Sequence, residues 1–233
     1  MINLVSSGGT VMRLPLRMVI GVCLVIGPLV FAGCATGHKH PPSPMASLME
    51  TLRTGGHVIY MRHTNADVGR DVPGDGEWWK KCGKGHRMLS ERGRAEAVQI
   101  GQAIHRLGIP IFEVRSSEYC RAVETARLLA LGDPKTDARL NGWPSWKAVD
   151  PEHGLARLAE GTRALLATRP IQGNVVLVSH KQDFPHPAAP VLADLEDGES
   201  AVFTSDGKGG FVLRGRIKPE DWKALSSSLT NLF

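Results

Sequence analysis

The sequence predicts an α/β domain: a mostly parallel sheet flanked by helices on both faces, with a late β-hairpin. Short apolar, β-branched segments alternate with helical segments, and this alternation is typical of a parallel sheet. The chain has 233 residues, of which 42% are hydrophobic and 22% are charged. This composition suits one globular domain with a sizeable core.

The N-terminal segment is predicted to direct export. Two arginines precede the apolar stretch MVIGVCLVIGPLVF, which is short for a membrane-spanning helix and is interrupted by a Gly-Pro pair. It ends in FAGC, which resembles a bacterial lipobox, where the cysteine is lipidated and becomes the new N-terminus. Residues 1–33 are therefore predicted to be a lipoprotein signal peptide with Cys34 as the lipidation site. An ordinary signal peptide and an uncleaved anchor remain alternatives.

Residues 34–46 are rich in proline and polar side chains, and they are predicted to form a flexible tether. The folded domain is expected to span residues 47–233. The predicted location is the periplasmic side of a bacterial cell envelope, with the lipid on Cys34 as the membrane anchor.

The charge distribution argues against a nucleic-acid partner. The formal net charge is +5, but the basic residues are scattered and do not alternate with aromatic residues. A modest positive field suits a small phosphorylated substrate.

The first predicted strand covers residues 57–61 and is followed by a polar, glycine-rich loop over residues 64–86. Two tryptophans in this loop either cap a substrate cleft or pack locally. Ser90 is a candidate N-cap for the first predicted helix. That helix carries apolar or small residues at helical spacing: Ala97, Val98, Gly101, Ile104 and Leu107.

The middle of the chain continues the alternation. Residues 111–117 are predicted to form a second strand, and residues 121–132 a helix that ends at a glycine. Residues 154–169 carry leucines on one face of another helix. Residues 174–180, NVVLVSH, are the clearest buried strand.

The last part of the chain predicts a hairpin and a helix. The segments SAVFTSD and GFVLRGRI flank a glycine-rich turn, and we expect them to pair as the late β-hairpin. Residues 219–229 begin with a proline in the first turn of the last predicted helix.

Polar residues stand at the ends of three predicted strands. Arg62 and His63 follow the first strand, Ser117 ends the second and His180 ends the third. Ligands bind at the carboxyl ends of parallel strands, so we expect these side chains to converge at one edge of the sheet.

These residue types suit phosphoryl transfer. Arg62 and Arg121 offer planar guanidinium groups that match phosphate oxygens, and Arg121 lies in the first turn of a predicted helix. A neutral imidazole is a competent nucleophile toward phosphorus, while the cations stabilise the transferring group. No cofactor and no metal ion is expected, since no Cys/His spacing indicates a metal site.

Three motifs carry a family resemblance: RHT after a strand, SSEYCRAVETA before a helix and VVLVSH at a later strand end. Their order and approximate spacing resemble the histidine phosphatase superfamily, the phosphoglycerate-mutase-like group, across residues 56–228. The stretches LSERGRAEAVQIGQAI and LEDGESAVF are similar to small exported bacterial members, including ones that act on phosphorylated sugars of lipopolysaccharide.

The resemblance implies a metal-independent hydrolase of phosphomonoesters or phosphoramidates, of the histidine acid phosphatase type, that acts on a small or cell-envelope phosphorylated substrate. His63 would be the phosphorylated nucleophile. Arg62, Arg121 and His180 would line the phosphate pocket, with His180 also counted as catalytic.

Three positions depart from the family pattern. Thr64 replaces a usual glycine or alanine, and Ser179 replaces a glycine. Gly142, in ARLNGWPSW, stands where many members carry a general-acid glutamate. Glu118 is the first substitute, because it shares a loop with Arg121. The other carboxylate candidates are Asp67, Asp183 and Glu199. A catalytically weak, phosphate-binding lipoprotein of the same fold is the alternative function.

The sequence contains four cysteines. Two of them lie in the signal segment and lipobox, which leaves Cys82 and Cys120 in the exported domain. In an oxidising compartment they are candidates for one disulfide; two free thiols are the alternative. We expect the disulfide, which would hold the loop after the first strand beside Arg121.

Overall fold

The computed structural model describes residues 43–67, 69–83 and 85–230, with side chains through residue 227. The strands of this part are β1 Val58–Arg62, β2 Ile111–Ser116, β3 Lys135–Thr136, β4 Asn174–Ser179, β5 Ser200–Ser205 and β6 Phe211–Ile217. Its α-helices are α1 Pro44–Thr54, α2 Glu91–Arg106, α3 Cys120–Leu128, α4 Trp143–Val149, α5 Gly154–Leu166 and α6 Pro219–Thr230. Short 3-10 helices lie at Trp78–Lys80, Ala138–Leu140 and Pro190–Ala193.

The six strands form one sheet in the order β3-β2-β4-β1-β5-β6. The first four strands in this order run parallel, and β5 and β6 pair antiparallel as the late hairpin. At the carboxyl end of the parallel part, the strand register pairs Arg62 with Ser179 and Ser116 with Val178. The predicted fold class is confirmed, and the three predicted polar strand ends meet at one edge.

Alternate residues of β1 enter two separate cores, because successive side chains of a strand point to opposite faces. Ile59 and Met61 pack in a cluster with residues of α1, α2, α3 and α6. Val58 and Tyr60 pack in a second cluster that includes leucines of α5. The sheet is therefore covered on both faces, and β1 and β4 are held rigidly at its centre.

Helix α2 begins where the sequence predicts. The Ser90 side chain caps it by accepting a hydrogen bond of 3.0 Å from the Gly93 backbone N–H. A Cβ atom at Gly101 would lie 2.0 Å from the carbonyl oxygen of Leu129. Glycine is required there because α2 lies against the end of α3. Val98, one of the predicted apolar positions, is exposed, and Ile100 is buried in its place.

Helix α1 was not predicted, and it begins inside the segment predicted to be a tether. Its first turn is stabilised by Pro44 and by the Ser43 side chain, which accepts from the Ala46 backbone N–H at 3.2 Å. Residues 44–46 of the predicted tether therefore belong to a helix. The predicted signal peptide and Cys34 lie outside the described residues. Within the described residues, no helix combines the length and the apolarity needed to span a membrane.

The predicted disulfide is present. Cys82 and Cys120 are bonded, with 5.7 Å between their Cα atoms and a sequence separation of 38. Cys82 lies in the loop between β1 and α2, and Cys120 is the first residue of α3. The bond therefore joins this loop to the helix that carries Arg121.

We predict that a Cys82→Ser, Cys120→Ser double variant unfolds more easily than the parent. Closing a loop of this length reduces the entropy of the unfolded chain, which contributes about 3–4 kcal/mol. Urea titration should show that loss in the free energy of unfolding, and reduced parent protein should behave like the variant. Equal midpoints for oxidised parent and variant would contradict the prediction.

Candidate active site

His63 follows β1 directly, and its side chain is buried with only 2% of the residue exposed. Its backbone N–H donates to the carbonyl oxygen of Ser179 at 2.9 Å. Its Nδ1 lies 2.8 Å from the carbonyl oxygen of Thr64. Since a carbonyl can only accept, Nδ1 carries the proton, and Nε2 keeps its lone pair.

Arg121, in the first turn of α3, contacts that lone pair. Its Nε donates to His63 Nε2 at 3.1 Å. Its Nη1 lies 2.9 Å and 3.1 Å from the two carboxylate oxygens of Asp71, and its guanidinium carbon lies 4.7 Å from the centre of the Tyr119 ring. The ion pair and the ring fix the cation against the nucleophilic nitrogen.

His180 follows β4, and its ring centre lies 5.3 Å from that of His63. Its Nε2 is 2.9 Å from Ser117 Oγ, which donates to Asn141 Oδ1 at 3.2 Å. Ser117 therefore accepts from His180, which places the proton of His180 on Nε2. His180 Nδ1 faces Arg121 Nη2 at 3.5 Å, so both imidazoles present a lone pair to the same cation.

Burial is the main reason that the pKa of His63 lies well below its ordinary value of 6.5, and the Arg121 charge adds to this lowering. The pKa of His180 is also well below 6.5, for the same two reasons in the same order. Both rings are therefore neutral at neutral pH. A neutral His63 retains the nucleophilic lone pair that a protonated ring would lack.

Arg62 ends β1 and is anchored by the segment before β5. Its Nη2 forms an ion pair of 2.6 Å with Asp197, and its Nη1 donates to the carbonyl oxygen of Leu195 at 2.7 Å. Its Nε is buried and has no hydrogen-bond partner among the described residues. The structure thus leaves one buried donor of Arg62 unsatisfied.

These groups line a cavity of about 180 Å³. The lining residues are Arg62, His63, Arg87, Arg121, Gly142, Trp143, Pro144, His180, Lys181 and Asp183. The structure therefore brings together His63, His180, Arg62 and Arg121, all predicted from three separate strand ends or helix starts. No group of three or more potential metal ligands occurs among the described residues.

The cavity also contains Arg87, Lys181 and Trp143, which were not predicted as site residues. Lys181 directly follows a predicted site residue, and Trp143 follows Gly142, so proximity in the chain could have identified both. Arg87 lies in a long polar loop with other basic residues, and no local pattern distinguishes it. Only the path of this loop back to the sheet edge places Arg87 in the cavity.

The structure does not place Glu118 among the residues that line this cavity. Its Oε2 accepts from Asn141 Nδ2 at 2.8 Å and from Trp79 Nε1 at 3.1 Å, and its Oε1 pairs with Lys80 at 3.0 Å. Burial alone would raise the pKa of Glu118, but these hydrogen bonds and the lysine together lower it. The carboxylate is ionised, and both of its oxygens are held by these partners.

Of the other three carboxylate candidates, only Asp183 lines the cavity. It forms an ion pair of 2.7 Å with Lys181. Glu199 is almost fully buried against Arg216, 2.7 Å away, and Asp67 is exposed outside the cavity. The neighbourhood of the histidines therefore contains one carboxylate from the predicted set.

Gly142 lines the cavity beside His180. A Cβ atom there would lie 3.5 Å from the Tyr119 hydroxyl oxygen and 3.6 Å from His180 Cδ2, which are ordinary contact distances. The backbone φ of −67° also accepts any side chain. A Cβ atom therefore fits at this position without a clash, but the glycine supplies no carboxyl group.

Thr64 and Ser179, the other two residues that depart from the family pattern, have structural roles. The hydroxyl oxygens of Thr64 and Thr125 lie 3.2 Å apart and link the exit of β1 to α3. Ser179 donates to the carbonyl oxygen of Leu140 at 2.7 Å, and its Oγ lies 2.8 Å from the Tyr60 hydroxyl. Both polar side chains brace the backbone that positions the histidines.

Trp78 and Trp79 are buried with Tyr119 in a small third cluster, and neither lines the cavity. The local packing alternative is therefore the correct one for these two residues. The two tryptophans therefore support the Tyr119 ring, which contacts the Arg121 guanidinium group.

The model of the histidine phosphatase superfamily, branch 1, matches residues 74–147. This segment includes the motif around Arg121. A search of curated proteins finds no match.

Solved structures resemble this chain at low identity. A phosphoserine phosphatase mutant from Entamoeba histolytica in complex with phosphoserine has a TM-score of 0.50 at 13% identity, covering 71% of this chain and 98% of that one. The protein histidine phosphatase SixA complexed with tungstate has a TM-score of 0.44 at 17% identity, with coverage of 71% and 98%. A mycobacterial glucosyl-3-phosphoglycerate phosphatase has a TM-score of 0.43 at 20% identity, with coverage of 68% and 97%.

The family model agrees with the resemblance that the sequence motifs carry, and the phosphoserine phosphatase structure has a similar fold.

We predict that His63 and His180 remain neutral when the pH falls below 6.5. Their lowered pKa values mean that each proton binds only at a more acidic pH than in an unfolded chain. Nitrogen-15 NMR of labelled imidazoles checks this, with His63→Ala used for assignment. Arg121→Gln should raise both pKa values, because it removes a nearby cation. Titration of both rings at the ordinary pKa would contradict the assignment.

Proposed function

We propose that this protein is a metal-independent phosphatase that cleaves phosphomonoesters or phosphoramidates through a phosphohistidine on His63. The observation that carries the proposal is the 3.1 Å contact between Arg121 Nε and His63 Nε2. A neutral imidazole nitrogen is aimed into a cavity lined by cations, and an electrophilic phosphoryl group with negatively charged oxygens is complementary to both features.

In the first step, His63 Nε2 attacks phosphorus, a P–N bond forms and the bond to the leaving group breaks. The phosphoryl group enters between Nε2 and Arg121, so the Arg121 N–H turns from the ring to a phosphoryl oxygen. Positive charge develops on the imidazole during the attack. The hydrogen bond from Nδ1 to the carbonyl oxygen of Thr64, 2.8 Å long, stabilises this charge.

In the second step, water attacks the phosphorus of the phosphohistidine, the P–N bond breaks and phosphate leaves. Electrons of that bond return to Nε2, which restores the neutral ring. Arg62 and Arg121 stabilise the equatorial oxygens in both steps. All of these groups belong to the chain itself.

Protonation of the leaving group is the weak point of this site. Gly142 supplies no carboxyl group, and Glu118 is engaged elsewhere. Phenolate and imidazole leaving groups need less protonation than an alkoxide, so we infer a preference for aryl phosphates or phosphoramidates. If no substrate is turned over, the alternative function, a phosphate-binding lipoprotein, remains.

We also propose that the protein is exported and anchored by a lipid on Cys34, where small or cell-envelope phosphorylated molecules would be its substrates. The apolar segment and FAGC support export. The Cys82–Cys120 disulfide supports it independently, because disulfides persist in oxidising compartments.

His63→Ala is expected to lower kcat for an aryl phosphate by about a thousandfold or more, since it removes the nucleophile. His153→Ala, at a histidine whose side chain is 63% exposed, is the control and should match the parent. Added chelator should leave the parent rate unchanged. Near-normal turnover by His63→Ala would rule out the mechanism.

Gly142→Glu is expected to raise turnover of alkyl phosphates by about a hundredfold, the lower range for a positioned general acid. The parent should show a steep dependence of rate on leaving-group pKa, and the variant a shallow one. Gly142→Gln, which has the same shape without an acidic proton, is the matched control. A shallow dependence in the parent would mean that an acid is already present.

Cys34→Ser is expected to stop lipidation and release the protein from the membrane fraction of a bacterial host. Labelling with a fatty-acid analogue and fractionation measure both effects. Cys23→Ser, in the apolar segment, should behave like the parent. An unchanged Cys34→Ser protein would show that the lipobox interpretation is wrong.

A further inference from the structure

We propose that Arg87 is a third phosphate-binding arginine, supplied to the cavity by the loop between β1 and α2. It would be the cation with the most free donors for the incoming phosphoryl group. This inference rests on the proposed function, because it takes the ligand to be the phosphoryl group of the substrate.

The two arginines predicted from the sequence already have partners on their terminal nitrogens. Arg62 Nη1 and Nη2 bind the Leu195 carbonyl oxygen and Asp197, and Arg121 Nη1 binds Asp71. These contacts orient both guanidinium groups but occupy much of their donor capacity. A phosphate with three non-bridging oxygens requires further donors.

Arg87 supplies these donors. It lines the same cavity and is partly buried. Its Nε donates to the carbonyl oxygen of Ala66, and its backbone N–H donates to Asp71 at 3.0 Å. These two contacts fix the base and the plane of the side chain. Among the described residues, its two terminal nitrogens form no hydrogen bond or ion pair that would compete with a ligand.

The charges around the cavity lead to the same assignment. Arg62 pairs with Asp197, Arg121 with Asp71 and Lys181 with Asp183. Arg87 has no carboxylate partner within the described part of the chain, so it leaves an excess positive charge. A phosphate monoester is anionic at neutral pH and would compensate that charge.

The loop that carries Arg87 is tied to Arg121 at two points. Asp71 Oδ1 accepts from both the Arg87 backbone N–H, at 3.0 Å, and Arg121 Nη1, at 3.1 Å. The Cys82–Cys120 disulfide joins the loop to the residue that precedes Arg121. The two arginines are therefore held in a fixed relation, as a shared ligand would require.

The test compares Arg87→Gln and Arg87→Lys with the parent and with Arg70→Gln. Arg70 is exposed on the same loop and does not line the cavity, so it controls for loss of one positive charge. The measurements are the Kd of inorganic phosphate by calorimetry, and kcat and KM for an aryl phosphate. Urea midpoints establish that each variant is folded.

Arg87→Gln is expected to weaken phosphate binding by about ten- to a hundredfold, as loss of a charge-assisted hydrogen bond does, and to raise KM similarly. Arg87→Lys should recover part of the affinity, and Arg70→Gln should match the parent. Phosphate binding by folded Arg87→Gln equal to that of the parent would overturn the proposal.

The two measurements separate this inference from the proposed function. If the parent turns over an aryl phosphate and Arg87→Gln has the same Kd and KM, the proposed function stands and the proposed role of Arg87 is refuted. If the parent shows no turnover but its phosphate binding depends on Arg87, the phosphate site stands and the proposed phosphatase activity is refuted. If the parent does not bind phosphate at all, the proposed phosphate site at Arg87 is refuted.

Discussion

The hydrogen bond from His63 Nδ1 to the carbonyl oxygen of Thr64 is the interaction on which the chemistry of this site depends. It places the ring proton on the side away from the cavity, which leaves Nε2 free to accept from Arg121. Burial and the neighbouring cation lower the pKa of the ring and keep it neutral. Without that bond, a buried imidazole among guanidinium groups could rotate or change tautomer, and its nucleophilic nitrogen would have no fixed direction.

The sheet makes this arrangement possible. β1 and β4 are neighbours at its centre, so His63 and His180 leave the same edge side by side. Helix α3 follows the adjacent strand and projects Arg121 between the two rings. The loop after β1 returns to this edge, where Asp71 and the disulfide bind it to α3. Each group that we propose for catalysis is therefore held by at least two elements, as preorganised electrostatic catalysis requires.

The sequence was sufficient to predict the elements and site residues that depend on local patterns of apolar and polar residues. Strand periodicity and the ends of β1, β2 and β4 located Arg62, His63 and His180, and the motif around Arg121 added the fourth group. The orientation of Glu118 was not predictable, because it depends on Asn141, which lies 23 positions later in the chain. Arg87 was not predicted for a related reason: it lies in a loop without periodicity, so the sequence does not indicate that it reaches the cavity. Helix α1 was missed because its N-cap lies in a segment whose composition resembles a linker.

Trapping the intermediate tests the central claim most directly. The protein is mixed with an aryl phosphate, quenched within milliseconds in alkali, which preserves phosphohistidine, and analysed by phosphorus NMR and peptide mass spectrometry. The account predicts one phosphoryl group on Nε2 of His63, because Nδ1 is occupied by its bond to Thr64. Phosphate on Nδ1 of His63, on His180, or on no residue during active turnover would contradict it.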